Sequence, residues 1–177
     1  MKKVVLILVG LLAFSCSNKP TLQKYFVENS ESTDFIALDL APSIINTEKI
    51  TLSDSEKEAL NSFEKLNVLA FQKDSISDEK YNTEKEKVKT ILKDEQYEQL
   101  MRFGSSKNGG SVYLVGEEDK IDEFVLFATG DDQGFVVARV LGDNMNPSNI
   151  INLMEVLRKS ELDLAQLKPL QDALGKK

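Results

Sequence analysis

Between Ser111 and Gly142 three apolar runs of strand length are separated by two polar turns. They read Ser-Val-Tyr-Leu-Val-Gly from 111, Ile-Asp-Glu-Phe-Val-Leu-Phe-Ala-Thr from 121 and Phe-Val-Val-Ala-Arg-Val-Leu-Gly from 135. β-Branched and aromatic residues dominate each run, and Gly-Asp-Asp-Gln-Gly at 130–134 has turn composition. Three such runs in succession form a β-meander. One face of a meander must be covered, and the rest of the chain supplies helical patterns for that purpose. This stretch therefore sets the fold class, and it carries little information about function.

The chain before the meander alternates in kind. Asp34–Ala41 reads as a first strand ended by Pro42. Ser43–Lys49 is ambiguous, with one helical turn through Ile44 and Ile45 as a reading. Ser53-Asp54-Ser55-Glu56 is a capping box, and Ala59, Leu60, Phe63 and Leu66 follow at helical spacing, which predicts a helix over 54–65. Leu66–Phe71 reads as a second strand, placed after a helix as in a crossover unit. Ser75–Leu92 is highly charged, with a thin apolar stripe at Tyr81, Val88, Ile91 and Leu92. Asp94 reads as a fresh cap, with Tyr97, Leu100, Met101 and Phe103 as a second stripe out of phase with the first. Two helices kinked near Lys93, or one bent helix, fit that pattern. Gly104–Gly110 reads as a flexible link.

After the meander, Gly142–Pro147 is a turn, with Asn146 or Ser148 as cap and Pro147 in the first turn of a helix. Ile150, Ile151, Met154 and Leu157 give that helix its apolar face. Leu162–Leu174 is leucine-spaced but interrupted by Pro169, and reads as a short terminal helix ended by Gly175. The expectation is an α+β fold, with one mixed or antiparallel sheet, a β-meander in the C-terminal half and helices mainly on one face.

The amino end carries a different signal. Met1-Lys2-Lys3 is a basic start, Val4–Phe14 is an apolar run, and Ser15-Cys16 follows. The run is too short to span a bilayer and fits a secretory signal peptide. Ala13-Phe14-Ser15-Cys16 resembles the lipobox of bacterial lipoproteins: Ser15 fits, and Ala13 and Phe14 are looser matches. Cys16 is then the lipidation site, and stable anchoring takes more than one acyl chain. The division that follows is 1–15 leader, 16–33 lipidated tether and 34–177 a single α+β domain. An apolar knot at Leu22, Tyr25, Phe26 and Val27 ends the tether in a short helix or docking segment. No aspartate directly follows Cys16 and no acidic cluster lies beyond it, so the default address is the periplasmic face of the outer membrane.

The residue inventory excludes common chemistry. The chain has 177 residues, no histidine and one cysteine. A Ser–His–Asp triad, a Cys–His pair, a zinc site using His or Cys and an intramolecular disulfide are all excluded. The net charge is −7, and near −9 without Lys2 and Lys3, which disfavours nucleic acid or a bare anionic bilayer as a partner, although its plainer role is to keep the domain soluble. No cofactor is implied.

Several short patterns offer chemistry, and each has a plainer reading. Ser62-Phe63-Glu64-Lys65 has the spacing of a serine nucleophile and its lysine, but Phe63 lies on the core stripe and the companion motifs are missing. Gly104-Ser105-Ser106-Lys107 lacks the upstream glycine of a phosphate loop. Asp131-Asp132-Gln133-Gly134 offers carboxylates to calcium, yet a hairpin turn needs the same residues. Asp143-Asn144-Met145-Asn146 puts Met145 where calcium needs oxygen. Glu117, Glu118 and Asp119 offer carboxylates for glycoside hydrolysis and sit in a turn, where charge costs little. Asp74-Ser75-Ile76 resembles the O-glycosylation sequon of exported Bacteroidetes proteins, with Ser75 as acceptor and a helix start as its plain reading.

The leader, Cys16, Tyr-Glu-Gln-Leu-Met at 97–101, the Val112–Val115 strand, the acidic hairpin and Val-Ala-Arg-Val-Leu-Gly-Asp at 137–143 together resemble a family of small Bacteroidetes lipoproteins built on one domain of unknown function. The resemblance covers nearly the full chain and carries no catalytic residues. It implies a lipoprotein of unknown role, anchored to the membrane. Two classes of function stay open. One is a non-enzymatic envelope protein acting on a protein partner or on envelope structure. The other is a carboxylate-based enzyme or small-molecule binder.

Overall fold

The computed structural model describes residues 19–73, 77–105, 107–117, 120–130 and 134–162. In chain order its elements are α1 (Leu22–Asn29), β1 (Phe35–Leu40), β2 (Ile45–Asn46), α2 (Asp54–Ser62), β3 (Phe63–Gln72) and α3 (Asp78–Ile91). β4 (Glu98–Gly104), β5 (Gly109–Glu117), β6 (Lys120–Gly130), β7 (Gly134–Met145), α4 (Pro147–Lys159) and β8 (Glu161–Leu162) follow. Six strands form one sheet in the order β1-β3-β7-β6-β5-β4, and each neighbouring pair is antiparallel. β2 and β8 make a separate two-residue ladder. This is the α+β class that the sequence predicts, with β5, β6 and β7 as the meander. No described helix is long and apolar enough to cross a membrane.

Several elements differ from expectation. The helix after Ser53 has its capping box but stops at Ser62, and Phe63 is already extended. Phe63 and Leu66 belong to β3, where Leu66 pairs with both Leu40 and Val140. A central strand with a partner on each side outweighs the helical preference of Glu64 and Lys65. β1 and β3 are antiparallel neighbours, so no crossover unit is present.

The helix predicted over 94–103 is instead a turn followed by the edge strand β4. Lys93, Asp94 and Tyr97 donate backbone N–H groups to Thr90, Ile91 and Asp94 carbonyls, which closes the turn. Asp94 does not cap a helix, because its carboxylate accepts from the Gln96 N–H and pairs with Lys19 at 2.6 Å. The chain then leaves along β5, and the register shift between Gln99 and Met101 leaves Leu100 in a bulge. Gly104–Gly110 is a hairpin and not a free link: Gly104 pairs with Gly109, and Ser105 N–H donates to the Asn108 carbonyl at 2.9 Å. Gly104 takes φ +70°, which suits glycine at such a corner. The predicted terminal helix over 162–174 lies outside the described residues, apart from Leu162 in β8.

The two faces of the sheet are covered unequally. On the first, Phe35, Leu69, Phe71, Phe135, Val137, Val125 and Phe127 form one core with Leu22 and Tyr25 of α1 and with Tyr81, Val88 and Ile91 of α3. Phe71 and Phe135 stack at 5.1 Å with 4° between ring planes, and Phe35 meets Phe71 edge-on at 5.1 Å. Such aromatic contacts add to the stabilisation from burial, about 1.5–3 kcal/mol for each large side chain removed from water. α1 and α3 thus form the covering layer on this face.

On the second face α2 and α4 pack chiefly on each other and cover one end, around Leu40, Phe63, Leu66 and Val140. A small neighbouring cluster joins Leu114, Ile121, Phe124 and Met145. Glu56 at the start of α2 binds Lys159 at the end of α4, which locks the helix pair. Two full rows across the sheet lie beyond these helices. One runs Leu38–Val68–Ala138–Leu126–Val112–Met101, the other Ile36–Ala70–Val136–Ala128–Gly110–Phe103. None of these residues joins a core cluster with a described helix.

Candidate functional site

Cys16 and Ser75 lie outside the described residues, as do Glu118, Asp119 and Asp131–Gln133. The remaining candidates are not brought together. Ser62 donates its hydroxyl to the Ala59 carbonyl at the end of α2, whereas Lys65 on β3 pairs with Asp39 at 3.4 Å. The helix–strand boundary at Phe63 thus separates the two members of the serine–lysine pattern. Ser105 accepts from the Lys107 and Asn108 N–H groups and shapes a hairpin. Glu117 and Asp143 are exposed at strand ends. Among the described residues no three Asp, Glu, Cys or His side chains gather as around a metal ion.

Among the described residues, two of the clefts on the covered side lie against the sheet. The first, of about 400 Å³, runs between α1 and the strands β1, β3 and β7. Phe26, Gln23 and Val27 form its helical wall, and Asp39, Asn67 and Arg139 are among its strand residues. Beside it lies a buried ion pair. Arg139 Nε donates to Glu123 Oε1 at 2.7 Å, and Nη2 donates to Oε2 at 2.6 Å. The Arg139 guanidinium also lies 5.4 Å from the Phe26 ring centre. Asn67 donates to Asp39, which Lys65 also neutralises. Each charged group here has a partner, so the cleft is arranged for polar contact and not for proton transfer.

The second cleft, of about 530 Å³, lies between the end of α3 and strands β4 and β5. Lys89, Lys93 and Arg102 line it beside Tyr113, Ser111 and Phe127. Lys89 is bound to Glu86 at 2.8 Å. Lys93 and Arg102 have no ion pair or hydrogen bond among the described residues.

Where the fold shifts a carboxyl group, it shifts it down. The Lys159 ammonium, with the Ser53 backbone N–H, holds Glu56 at about 2. Lys89 lowers Glu86, and Lys19 lowers Asp94, in each case chiefly through a side-chain hydrogen bond. A general base for neutral pH needs the opposite shift. Tyr25, by contrast, is raised by burial and by Glu84, to which its hydroxyl donates at 2.9 Å.

Sequence reading passed over the ion pair and the basic cleft. The pair left a signal in the strand parity. Glu123 shares a face with Val125 and Phe127, and Arg139 shares one with Val137 and Phe135. Opposite charges on the inward positions of adjacent strands mark a buried pair. The basic cleft left none, because its residues come from α3 and from a strand read as helix.

No curated protein matches the chain, and no solved structure matches it. A family model does match, from Tyr25 in α1 to Leu153 in α4, a span that contains the whole six-stranded sheet. By that match over residues 25–153, the chain belongs to the family of the domain of unknown function DUF4252.

Proposed function

We propose that this protein is a lipid-anchored envelope protein that works by contact with a protein partner and not by turnover. The observation that carries the reading is the part of the second sheet face that no described helix covers. Two apolar rows cross β1, β3, β7, β6 and β5 there, and Leu126 on β6 is 36% exposed. Contiguous apolar surface on a sheet face marks a contact site for another protein. The downward carboxyl shifts support the same side of the choice. The leader and Cys16 support acylation and an address on the periplasmic face of the outer membrane, in keeping with the resemblance to Bacteroidetes lipoproteins.

A photo-crosslinking residue at Leu126 in the native cell tests this reading. It is expected to capture one discrete protein, and Val68→Arg in the same row, two strands away on β3, is expected to abolish capture without unfolding the domain. Capture of a second copy of the chain would replace the partner with self-association. An alanine change at Glu117, Asp131 or Asp143 that abolished a measured turnover in a folded protein would sink the contact reading in favour of a carboxylate enzyme. Acylation is tested separately. Cys16→Ser is expected to move the protein from the detergent phase to the soluble periplasmic fraction. An intact mass of polypeptide plus lipid alone would remove the glycan proposed at Ser75.

A further inference from the structure

We propose that the β4 edge of the sheet faces the bilayer, with the basic cleft beside it taking lipid phosphates and Leu100, Met101 and Phe103 entering the headgroup layer. This inference rests on membrane attachment through Cys16. Its first support is where the described chain begins. Lys19 Nζ binds Asp94 Oδ2 at 2.6 Å, and the Leu22 N–H donates to the Tyr97 hydroxyl at 3.1 Å. Both contacts fix the amino end of the body beside the turn that enters β4. Only Ser17 and Asn18 separate Lys19 from Cys16. Three peptide steps reach at most about 11 Å. An acyl chain on Cys16 therefore brings the lipid headgroups to the Asp94–Tyr97 turn.

The second support is what β4 displays there. Leu100, Met101 and Phe103 are 44%, 57% and 48% exposed on an edge strand. The bulge at Leu100 interrupts the ladder, which disfavours another strand as the edge's partner. The third support is charge. Lys93 and Arg102 line the adjoining cleft without a side-chain hydrogen bond or ion pair among the described residues; Lys89 also lines it but is bound to Glu86, a lining carboxylate that Lys93 also acts on electrostatically, so the cations outnumber the acid by three to one. The chain as a whole is acidic, at −7. Screening over about 10 Å at 0.1 M salt lets the local cations act apart from distant acids. Arg and Lys are the side chains that bind phosphate, and apolar neighbours complete an interfacial surface. The occupant is therefore an anionic bilayer.

The chain contains no tryptophan and one cysteine, which makes the test direct. A maleimide phospholipid coupled to Cys16 of the full chain anchors it to vesicles whether or not the cell acylates it. One variant carries Met101→Trp on β4, and the comparator carries Met154→Trp on α4, where the exposure is 65%. Vesicles of phosphatidylcholine with phosphatidylglycerol carry bromine on their acyl chains as quencher.

The expected result is quenching and a blue shift for the tryptophan on β4 and neither for the one on α4. Lys93→Glu with Arg102→Glu is expected to weaken the response by about fivefold or more for each cation. Equal quenching at both positions, or none at β4, overturns the proposal. An undiminished response in phosphatidylcholine alone overturns the role given to the cleft. The native protein's mass keeps the two readings apart: an unacylated Cys16 with a quenched β4 removes the anchor and leaves the surface, and an acylated Cys16 with a silent β4 does the reverse.

Discussion

Phe71 and Ala70 are neighbours in β3 and point to opposite faces of the sheet. Phe71 is 1% exposed and stacks on Phe135 beneath α1 and α3. Ala70 lies in a row of small and aliphatic residues that no described helix covers. The first side is filled by stacked rings and two helices, whereas on the second the described helices cover one end only. Burial that holds the fold together and surface that remains for contact are thus separated by strand parity.

The sharpest way to break this comparison is to remove one ring from the filled side. Phe71→Ala is expected to lower stability by about 3–5 kcal/mol, because the cavity cannot collapse among stacked rings. Leu126→Ala on the open side is expected to lie far below that, about 0.5–1 kcal/mol. Urea melts of the two variants check it, and similar midpoints would show that the second face is covered as well.

Arg139→Met sharpens the same point at the polar end of the filled side. It leaves the Glu123 carboxylate buried without its two donors, at a cost of about 3 kcal/mol. Glu123→Leu added to it is expected to restore most of that stability. A double variant as unstable as the single one would mean that the pair does more than satisfy its own charges.

The helix pair on the open side is expected to be sensitive to acid. Glu56 titrates at about 2 in the fold against 4.5 ordinarily, so falling pH protonates the unfolded chain first. Its contribution is fully present above about 4.5 and is lost as pH falls towards 2. Chemical melts of wild type and Glu56→Gln are expected to differ at neutral pH and to converge across that window. The smallest effect is expected for Leu126→Glu: about 0.5 kcal/mol in stability, yet loss of a partner crosslinked from Val112, the residue beside it in the row. A crosslink that survived would move the contact site elsewhere.

Much of the architecture was legible because alternation and capping are local. The meander, the Ser53 capping box, the cap at Asn146 and the strand from Phe35 all followed from neighbours within a few residues. The failures came where a distant partner decided the outcome. Tyr97, Leu100, Met101 and Phe103 have helical spacing, but Asp94 is held by Lys19 and β5 supplies a ladder. Phe63 is helical by spacing and extended by pairing. The open face was hidden for the same reason. Periodicity shows that a strand has an apolar side, and only the placement of helices shows which side is left uncovered.

The position of β3 also sets the order of assembly. It lies between β1 and β7, and its pairing with β7 joins Phe63 to Gly142 and Gln72 to Gly134. The central seam therefore cannot close until nearly the whole chain is present. Contacts so distant in sequence slow folding, to on the order of milliseconds to seconds for sheets of this kind. A polypeptide threaded through a translocation channel amino end first would keep β1 and β3 without their third strand until late in transit. Such a chain stays unfolded for as long as the channel requires, and it completes its sheet only after β7 has emerged.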